Sequence, residues 1–166
     1  MNMAYVMIMT TPLHEASEYG HTEAMQLLIE HNADINKKDG WRRTPLHKAS
    51  FKGHIDAVKL LIKHGAEVKS KSEWDRTPLH EASDYGHTNT MRLLIEHEAD
   101  VNAKDIWSWT PLHRASWTGS TDAMKLLIDH GANVNAKNKW DETPLYQASF
   151  NSHTDAMKLL KAHGAI

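Results

Sequence analysis

The tripeptide Thr-Pro-Leu occurs five times in this chain, and each copy lies 33 residues after the previous one. A fixed period of this size indicates a repeat architecture, in which each repeat buries its apolar face against its neighbours. Pairs of leucines and single histidines keep the same step. The five copies begin at Thr11, Thr44, Thr77, Thr110 and Thr143.

The second repeat shows what one unit is predicted to form. Thr44 is a good helix N-cap, Pro45 suits the first helical position, and Gly53 is the residue type that ends a helix. A second apolar helix follows and ends at Gly65. Each helix is only about two to three turns long, so each pair must be covered by the next to be stable. We expect one continuous buried row of leucines: Leu27, Leu60, Leu93, Leu126 and Leu159.

Four of the five copies continue as Thr-Pro-Leu-His-x-Ala-Ser, and Tyr146 replaces the histidine in the fifth. This signature and its period resemble those of the ankyrin repeat. The resemblance implies an all-α solenoid of helix pairs with β-hairpin or turn segments, the fingers, between the pairs. It also implies a concave face that binds other proteins. A single ankyrin-repeat domain is expected over 1–166, with repeats at about 6–38, 39–71, 72–104, 105–137 and 138–166.

The fingers depart from the ankyrin pattern at one position. Many ankyrin repeats have glycine two residues before Thr-Pro, where this chain has Arg42, Asp75, Ser108 and Asp141. Residues with a side chain disfavour the left-handed backbone conformation that glycine adopts freely. The resemblance therefore does not fix the conformation of the fingertips.

Both ends of the chain differ from the inner repeats. Ser152 and Lys161 replace the glycine and isoleucine of the other repeats, which suits a terminal repeat. Residues 1–10 are either an irregular N-terminal cap or the mark of truncation from a longer array. They resemble neither a signal peptide nor a transmembrane segment, so a natural chain is expected to be intracellular, in the cytoplasm. The strict period also fits an engineered ankyrin binder, whereas scattered framework differences fit natural drift.

Composition excludes several classes of site. The chain has no cysteine, which rules out disulfides, thiolate zinc sites and cysteine nucleophiles. Its net charge of −2 and pI near 6.7 are too balanced for a protein that binds nucleic acid or a membrane surface. The sequence has no phosphate loop and no hydrolase motif, and its carboxylates are expected to face solvent. We therefore expect no enzymatic activity and no cofactor.

The 13 histidines raise the question of a metal site. Equivalent histidines lie one repeat apart, on the order of the 8–10 Å between packed helices. This is too far for two of them to share one metal ion, and no metal is expected. The resemblance instead implies that the histidines after Pro-Leu hydrogen-bond the finger backbone. These are His14, His47, His80 and His113.

Columns that vary between repeats indicate where the chain binds a partner. In the ankyrin family, the fingers and the ends of the first helices line the concave face, and large aromatic residues there are typical of binding surfaces. The tryptophan that recurs in every finger either belongs to this binding surface or packs each finger on its neighbour. Binding energy is expected to concentrate in the fourth repeat, where Trp109 and Trp117 have no equivalent elsewhere. The candidate partner-binding residues are Trp41, Arg43, Phe51, Lys52, Trp74, Arg76, Tyr85, Ile106, Trp107, Trp109, Arg114, Trp117, Trp140 and Phe150.

One column of the first helices alternates in charge, as Glu15, Lys48, Glu81 and Arg114. The alternation has two interpretations. It forms a solvated ladder of ion pairs that sets the register between repeats, or it provides electrostatic complementarity to a partner.

These features predict a non-catalytic module that binds a partner protein through the concave face and is a monomer when free. One alternative is a small-molecule, metal or nucleic-acid site on the fingers. Another is a passive structural segment of a larger protein. The fold alone does not identify the partner.

Overall fold

A computed structural model describes residues 9–166 of the chain. The expectation of an N-terminal cap falls mainly on residues 1–8, which lie outside the described residues. Residues 9–166 form ten helices in five consecutive pairs. Their bounds are α1 Pro12–Glu18, α2 Thr22–Glu30, α3 Pro45–Lys52, α4 Ile55–Lys63, α5 Pro78–Asp84, α6 Thr88–Glu96, α7 Pro111–Thr118, α8 Thr121–Asp129, α9 Pro144–Phe150 and α10 Thr154–Ala162.

The helix ends lie where the sequence predicts them. Thr44 is the extended N-cap of α3 and Pro45 is its first helical residue. Gly53 ends α3 in the left-handed conformation, with φ of 71°. Ser152 replaces the equivalent glycine in the last repeat and adopts the same conformation, with φ of 59°. The residues that cap the two ends therefore set the length of each helix.

The helices stack in two rows. Each first helix of a pair packs against the first helices of the neighbouring repeats, and the second helices do the same. The expected leucine row is wrong: Leu27 is 59% exposed, and of its equivalents only Leu126 is buried. Adjacent helical residues point about 100° apart, so the two leucines of a pair do not face the core equally. The packing of the neighbouring helices turns the second leucine of each pair towards the core. The fully buried row consists of Leu61, Leu94, Leu127 and Leu160.

The fingers are turns, and no β-strand is assigned between residues 9 and 166. We define the fingers as residues 39–43, 72–76, 105–109 and 138–142. Within the first, the Asp39 N–H donates to the carbonyl of Arg43 at 2.9 Å. Successive fingers are joined by one backbone bond each, as from the Glu73 N–H to the Trp41 carbonyl at 2.9 Å. This sparse bonding explains why the expected β-hairpins are absent from the described chain.

The fingertips keep one conformation despite the missing glycines. Residues at this position have φ between 55° and 62°, in the left-handed region. The fingertips therefore adopt the conformation that glycine favours, and the cost for a residue with a side chain is backbone strain. The four residues are Arg42, Asp75, Ser108 and Asp141.

Asparagine side chains link neighbouring repeats on the loops that follow the second helices. Asn36 donates from Nδ2 to the carbonyl of Gly65 at 3.0 Å and accepts the N–H of Glu67 at 2.9 Å. Asn102 and Asn135 make equivalent bonds to the repeats that follow them. Lys69 occupies this position in the second repeat and makes only an exposed ion pair with Glu98. The junction between the second and third repeats therefore lacks this bridge.

Within residues 9–166, no helix is both long enough and apolar enough to cross a membrane.

Candidate functional site

The fingers and the first helices border a common surface, which we call the finger–helix face. A pocket of about 160 Å³ opens on this surface between the first two fingers and α3. Aromatic side chains and ion-paired side chains both contribute to its wall. The lining residues are Glu18, Trp41, Arg43, His47, Lys48, Phe51, Ser72, Trp74, Arg76 and Glu81.

The recurring tryptophans pack against one another along the fingers. The ring centroids of Trp41 and Trp74 are 5.4 Å apart, and those of Trp74 and Trp107 are 6.4 Å apart. Trp41 and Trp107 are half-buried, so part of their role is to hold the fingers together. Trp140 is exposed and borders a separate shallow cavity together with Tyr146.

A second group of candidate residues joins α3 to the end of α5. The rings of Phe51 and Tyr85 meet edge to face with centroids 4.7 Å apart. The Lys52 Nζ lies 5.3 Å from the centroid of Phe51, a cation–π distance. Phe51 also lines the pocket, so this group is continuous with the tryptophans of the fingers.

The third group lies on the fourth and fifth repeats. The Trp117 ring is 5.9 Å from the rings of both Trp109 and Phe150. Phe150 is in turn 6.2 Å from Tyr146, a residue that the sequence analysis did not select. The exposed fractions are 43% for Trp117, 67% for Phe150 and 49% for Tyr146. These rings form an exposed aromatic row along α7 and α9.

Two of the predicted residues of the fourth repeat are less exposed than expected. Trp109 is half-buried, and the Arg114 guanidinium lies 4.6 Å from its ring centroid. Ile106 is half-buried as well, and its backbone N–H donates to the carbonyl of Trp74 at 3.0 Å. The half-buried ring of Trp109 therefore packs edge to face against the exposed ring of Trp117.

The predicted ladder of charges does not form. Lys48 pairs with Glu18 at 2.6 Å rather than with the next member of its own column. Arg114 pairs with Asp105 at 2.6 Å and with Asp84 at 3.7 Å. Lys48 and Arg114 thus pair with a carboxylate on the finger or at the end of a first helix, because these carboxylates lie nearer than the next member of the charged column.

The third repeat holds a buried ion-pair network, which contradicts the expectation that the carboxylates face solvent. Arg76 pairs with Glu81 at 3.2 Å and also with Asp84. Burial raises the pKa of Glu81, and the charge of Arg76 only partly opposes this shift. For Arg76, burial favours a lower pKa, but Glu81 and Asp84 together raise it. A buried guanidinium shared between carboxylates fixes the positions of these side chains.

The histidines after Pro-Leu connect each first helix to the next finger. In the second repeat, His47 Nδ1 accepts the N–H of Thr44 at 3.1 Å, and His47 Nε2 donates to the carbonyl of Arg76 at 2.9 Å. Burial lowers the pKa of His47 to about 4 and that of His80 to about 3, so both are neutral at pH 7. The hydrogen-bonding role implied by the family resemblance is confirmed. Equivalent bonds to the next finger involve His14, His80 and His113.

Ser72 lines the pocket and is buried, but it is not among the residues predicted from the sequence. The repeat pattern of the sequence distinguishes this serine from its equivalents. At steps of 33 residues from Asp39, the chain has Ser72, Asp105 and Asn138, so the serine is the single short side chain in an acidic or amide column. Tyr146 was visible in the same way, as the residue that replaces a repeated histidine.

Comparison with known families agrees with the repeat geometry. A family model described as ankyrin repeats (3 copies) matches residues 7–72 and 62–138. A second, described as ankyrin repeats (many copies), matches residues 119–160. No curated protein matches the chain. Since the family models cover most of its length, the chain belongs to the ankyrin-repeat family.

Proposed function

We propose that this chain is a single, non-catalytic ankyrin-repeat domain that binds a partner protein through its finger–helix face. Ankyrin repeats are generally protein-interaction modules and are typically non-catalytic. The observation that carries the proposal is the exposed aromatic row of Trp117, Phe150 and Tyr146, whose rings lie about 6 Å apart. Large exposed aromatic patches on a soluble surface are typical of interaction sites.

Two features support the placement of the binding energy on this row. The rings lie on α7 and α9, which pack against each other and hold their side chains in place. A rigid aromatic side chain loses little conformational entropy on binding, and tryptophan and tyrosine are enriched at the energetic centres of interfaces. The partner is therefore expected to cover Trp117 and Phe150 while the tryptophans of the fingers form the adjoining contact.

The matched test compares two exposed apolar residues on different sides of the stack. Trp117 lies on a first helix, and Leu27 is exposed on the second helix α2. Immobilised wild-type chain, Trp117→Ala and Leu27→Ala are used to capture proteins from a lysate, and the recovered partner is then titrated against each variant. Trp117→Ala is expected to weaken binding by about 2 kcal/mol, roughly thirtyfold, because it removes a central anchor.

Leu27→Ala is expected to bind as the wild type does, since α2 lies outside the finger–helix face. The proposal is wrong if Leu27→Ala loses the partner while Trp117→Ala retains it. Circular dichroism melts of both variants exclude a loss of folding as the cause.

A further inference from the structure

One buried position of the fingers normally carries an oxygen acceptor. Asp39 Oδ1 accepts the backbone N–H groups of Trp41 and Arg43, each at 2.9 Å. Asp105 Oδ1 does the same for the N–H groups two and four residues later in its finger, and Asn138 does so with its amide oxygen. In three of the four fingers, one side-chain oxygen therefore satisfies two backbone donors.

The carboxylates at this position also hold an arginine. The second oxygen of Asp39 accepts from the Arg43 Nε at 2.9 Å, and that of Asp105 accepts from Arg114 at 2.6 Å. A carboxylate can take up all of these donors because it offers about four lone pairs in one plane.

Ser72 breaks this pattern in the second finger. Among residues 9–166, neither the N–H of Trp74 nor that of Arg76 has an acceptor in hydrogen-bonding geometry. The Ser72 Oγ and the Arg76 Nε are buried and are also without a partner. Ser72 itself is only 3% exposed. Four donors of the second finger thus lack the acceptor that a carboxylate or amide supplies in the other fingers. Two of them, the Ser72 Oγ and the Arg76 Nε, are buried, and unsatisfied buried donors are costly.

The pocket on the finger–helix face lies beside these donors, since Ser72, Trp74 and Arg76 all line it. Three of its lining side chains are cationic, Arg43, Lys48 and Arg76. Each is already ion-paired with a carboxylate, so the pocket offers unpaired hydrogen-bond donors rather than an excess of positive charge. Trp41 and Trp74 also line the pocket, and their rings suit the apolar stem of an acidic side chain.

We propose that this pocket binds the carboxylate of an aspartate or glutamate side chain from the partner protein, which supplies the acceptor that the Asp39 and Asp105 carboxylates provide within their own fingers. The assignment rests on the proposed function, because the pocket opens on the same face. The incoming carboxylate accepts the N–H groups of Trp74 and Arg76 and receives the hydroxyl of Ser72. The unpaired Nε–H of Arg76 forms a stronger hydrogen bond with a carboxylate than with a neutral amide.

The site is testable without the partner. The probe is N-acetyl-aspartate N-methylamide, titrated into the ¹⁵N-labelled full chain while backbone amide resonances are followed by NMR. Saturable downfield shifts are expected at Trp74 and Arg76, with a dissociation constant in the millimolar range. The asparagine analogue, which lacks the charge, and N-acetylglycine, which carries only a terminal carboxylate, are expected to bind at least threefold more weakly.

Variants of the chain separate filling of the site from added charge. Ser72→Asp and Ser72→Asn supply the missing acceptor internally, so both are expected to melt higher than the wild type and to weaken the aspartate probe at least tenfold. Ser108→Asp is the matched control, because Asp75 and Asp141 occupy the same fingertip position in other repeats. It adds the same charge without filling the site and is expected to bind the probe as the wild type does.

The assignment is overturned if the aspartate probe gives no saturable shift, if either analogue binds as tightly, or if Ser72→Asp binds it unchanged. These outcomes leave the Trp117 test unaffected, because the titration requires no partner. Conversely, a partner that ignores Trp117→Ala contradicts the proposed function without altering the titration result.

Discussion

The Nε2 of His80 donates a hydrogen bond of 3.0 Å to the carbonyl oxygen of Trp109, which lies in the finger of the next repeat. The direction of this bond follows from the other ring nitrogen. His80 Nδ1 accepts a hydrogen bond of 3.1 Å from the backbone N–H of Thr77, so the ring proton is on Nε2. One neutral imidazole thus caps its own helix and ties it to the following finger.

Stability is expected to fall as the pH drops from about 6.5 to 4. Burial lowers the pKa values of His47 and His113 to about 4 and that of His80 to about 3, and it also lowers the pKa of His14. The neutral form is favoured in the folded state, so the stabilisation is complete above the unfolded pKa and is lost on acidification. His47, His80 and His113 each contribute about 1.4 kcal/mol per pH unit within this interval.

Urea unfolding of the wild type and His80→Asn at several pH values measures this slope. The variant is expected to be less stable at pH 7.5, because a buried hydrogen bond is lost, and to have a shallower slope below pH 6.5. Equal slopes for the two proteins contradict the interpretation.

The two leucines of the third repeat are expected to respond differently to truncation. Leu94 is fully buried, whereas Leu93 is half-buried at the edge of the core. Leu94→Ala is expected to cost about 2–5 kcal/mol through lost packing and the cavity that remains, and Leu93→Ala less than about 2 kcal/mol. Guanidinium unfolding of both variants gives the ranking, and the reverse order would refute the assignment of the buried row.

Restoring the missing asparagine bridge is expected to stabilise the middle of the stack. Lys69→Asn places an amide where Asn36 and Asn102 link neighbouring repeats, so it can donate to the carbonyl of Glu98. The expected gain is about 1 kcal/mol, since a net intramolecular hydrogen bond contributes this amount, and the exposed Lys69 pair that is lost is weak.

The reverse substitution, Asn102→Lys, is the matched control for the bridge. It is expected to lower the free energy of unfolding by a similar or larger amount. If both substitutions leave the urea midpoint unchanged, these amides do not hold the repeats together.

Glycine at a fingertip is expected to stabilise the chain. Ser108 has φ of 62°, and a residue with a side chain pays about 1–2 kcal/mol in this region. Ser108→Gly removes that strain but loses roughly 0.5–1 kcal/mol to the greater freedom of the unfolded chain. A small rise in melting temperature is therefore expected. Ser108→Ala is the control, because it removes the hydroxyl and keeps the strain; a rise of equal size in this variant would show that the backbone is not responsible.

The repeat itself was predictable from local chemistry. Thr44, Pro45 and Gly53 determine where a helix begins and ends through capping and backbone preference, which depend on neighbours along the chain. The role of the histidines followed from the resemblance to the ankyrin repeat. Repetition at 33-residue steps then made the number of helix pairs a matter of counting.

The candidate site was predictable only in part. Trp117 and Phe150 are exposed, as expected for residues chosen from variable columns. Trp109, chosen in the same way, is half-buried and packs against Trp117. Variation between repeats shows that a position is not required for packing the repeats together. It does not show how much of a large ring at that position is buried by its neighbours. Ser72 was visible as an exception in its column, yet its meaning required the bonds made by Asp39 and Asp105.

The sequence by itself determined the period and the residues at which the helices begin and end, because these depend on capping and on a motif that repeats along the chain. The tertiary structure decided the rest. Leu93 and Leu94 are adjacent and equally apolar, and only the packing of neighbouring helices selects which one faces the core. Arg76 could reach several carboxylates, and only the stacked geometry assigns it to Glu81 and Asp84. The four unpaired donors of the second finger, one of them the Ser72 hydroxyl, belong to backbone and side-chain groups that only the folded finger brings together.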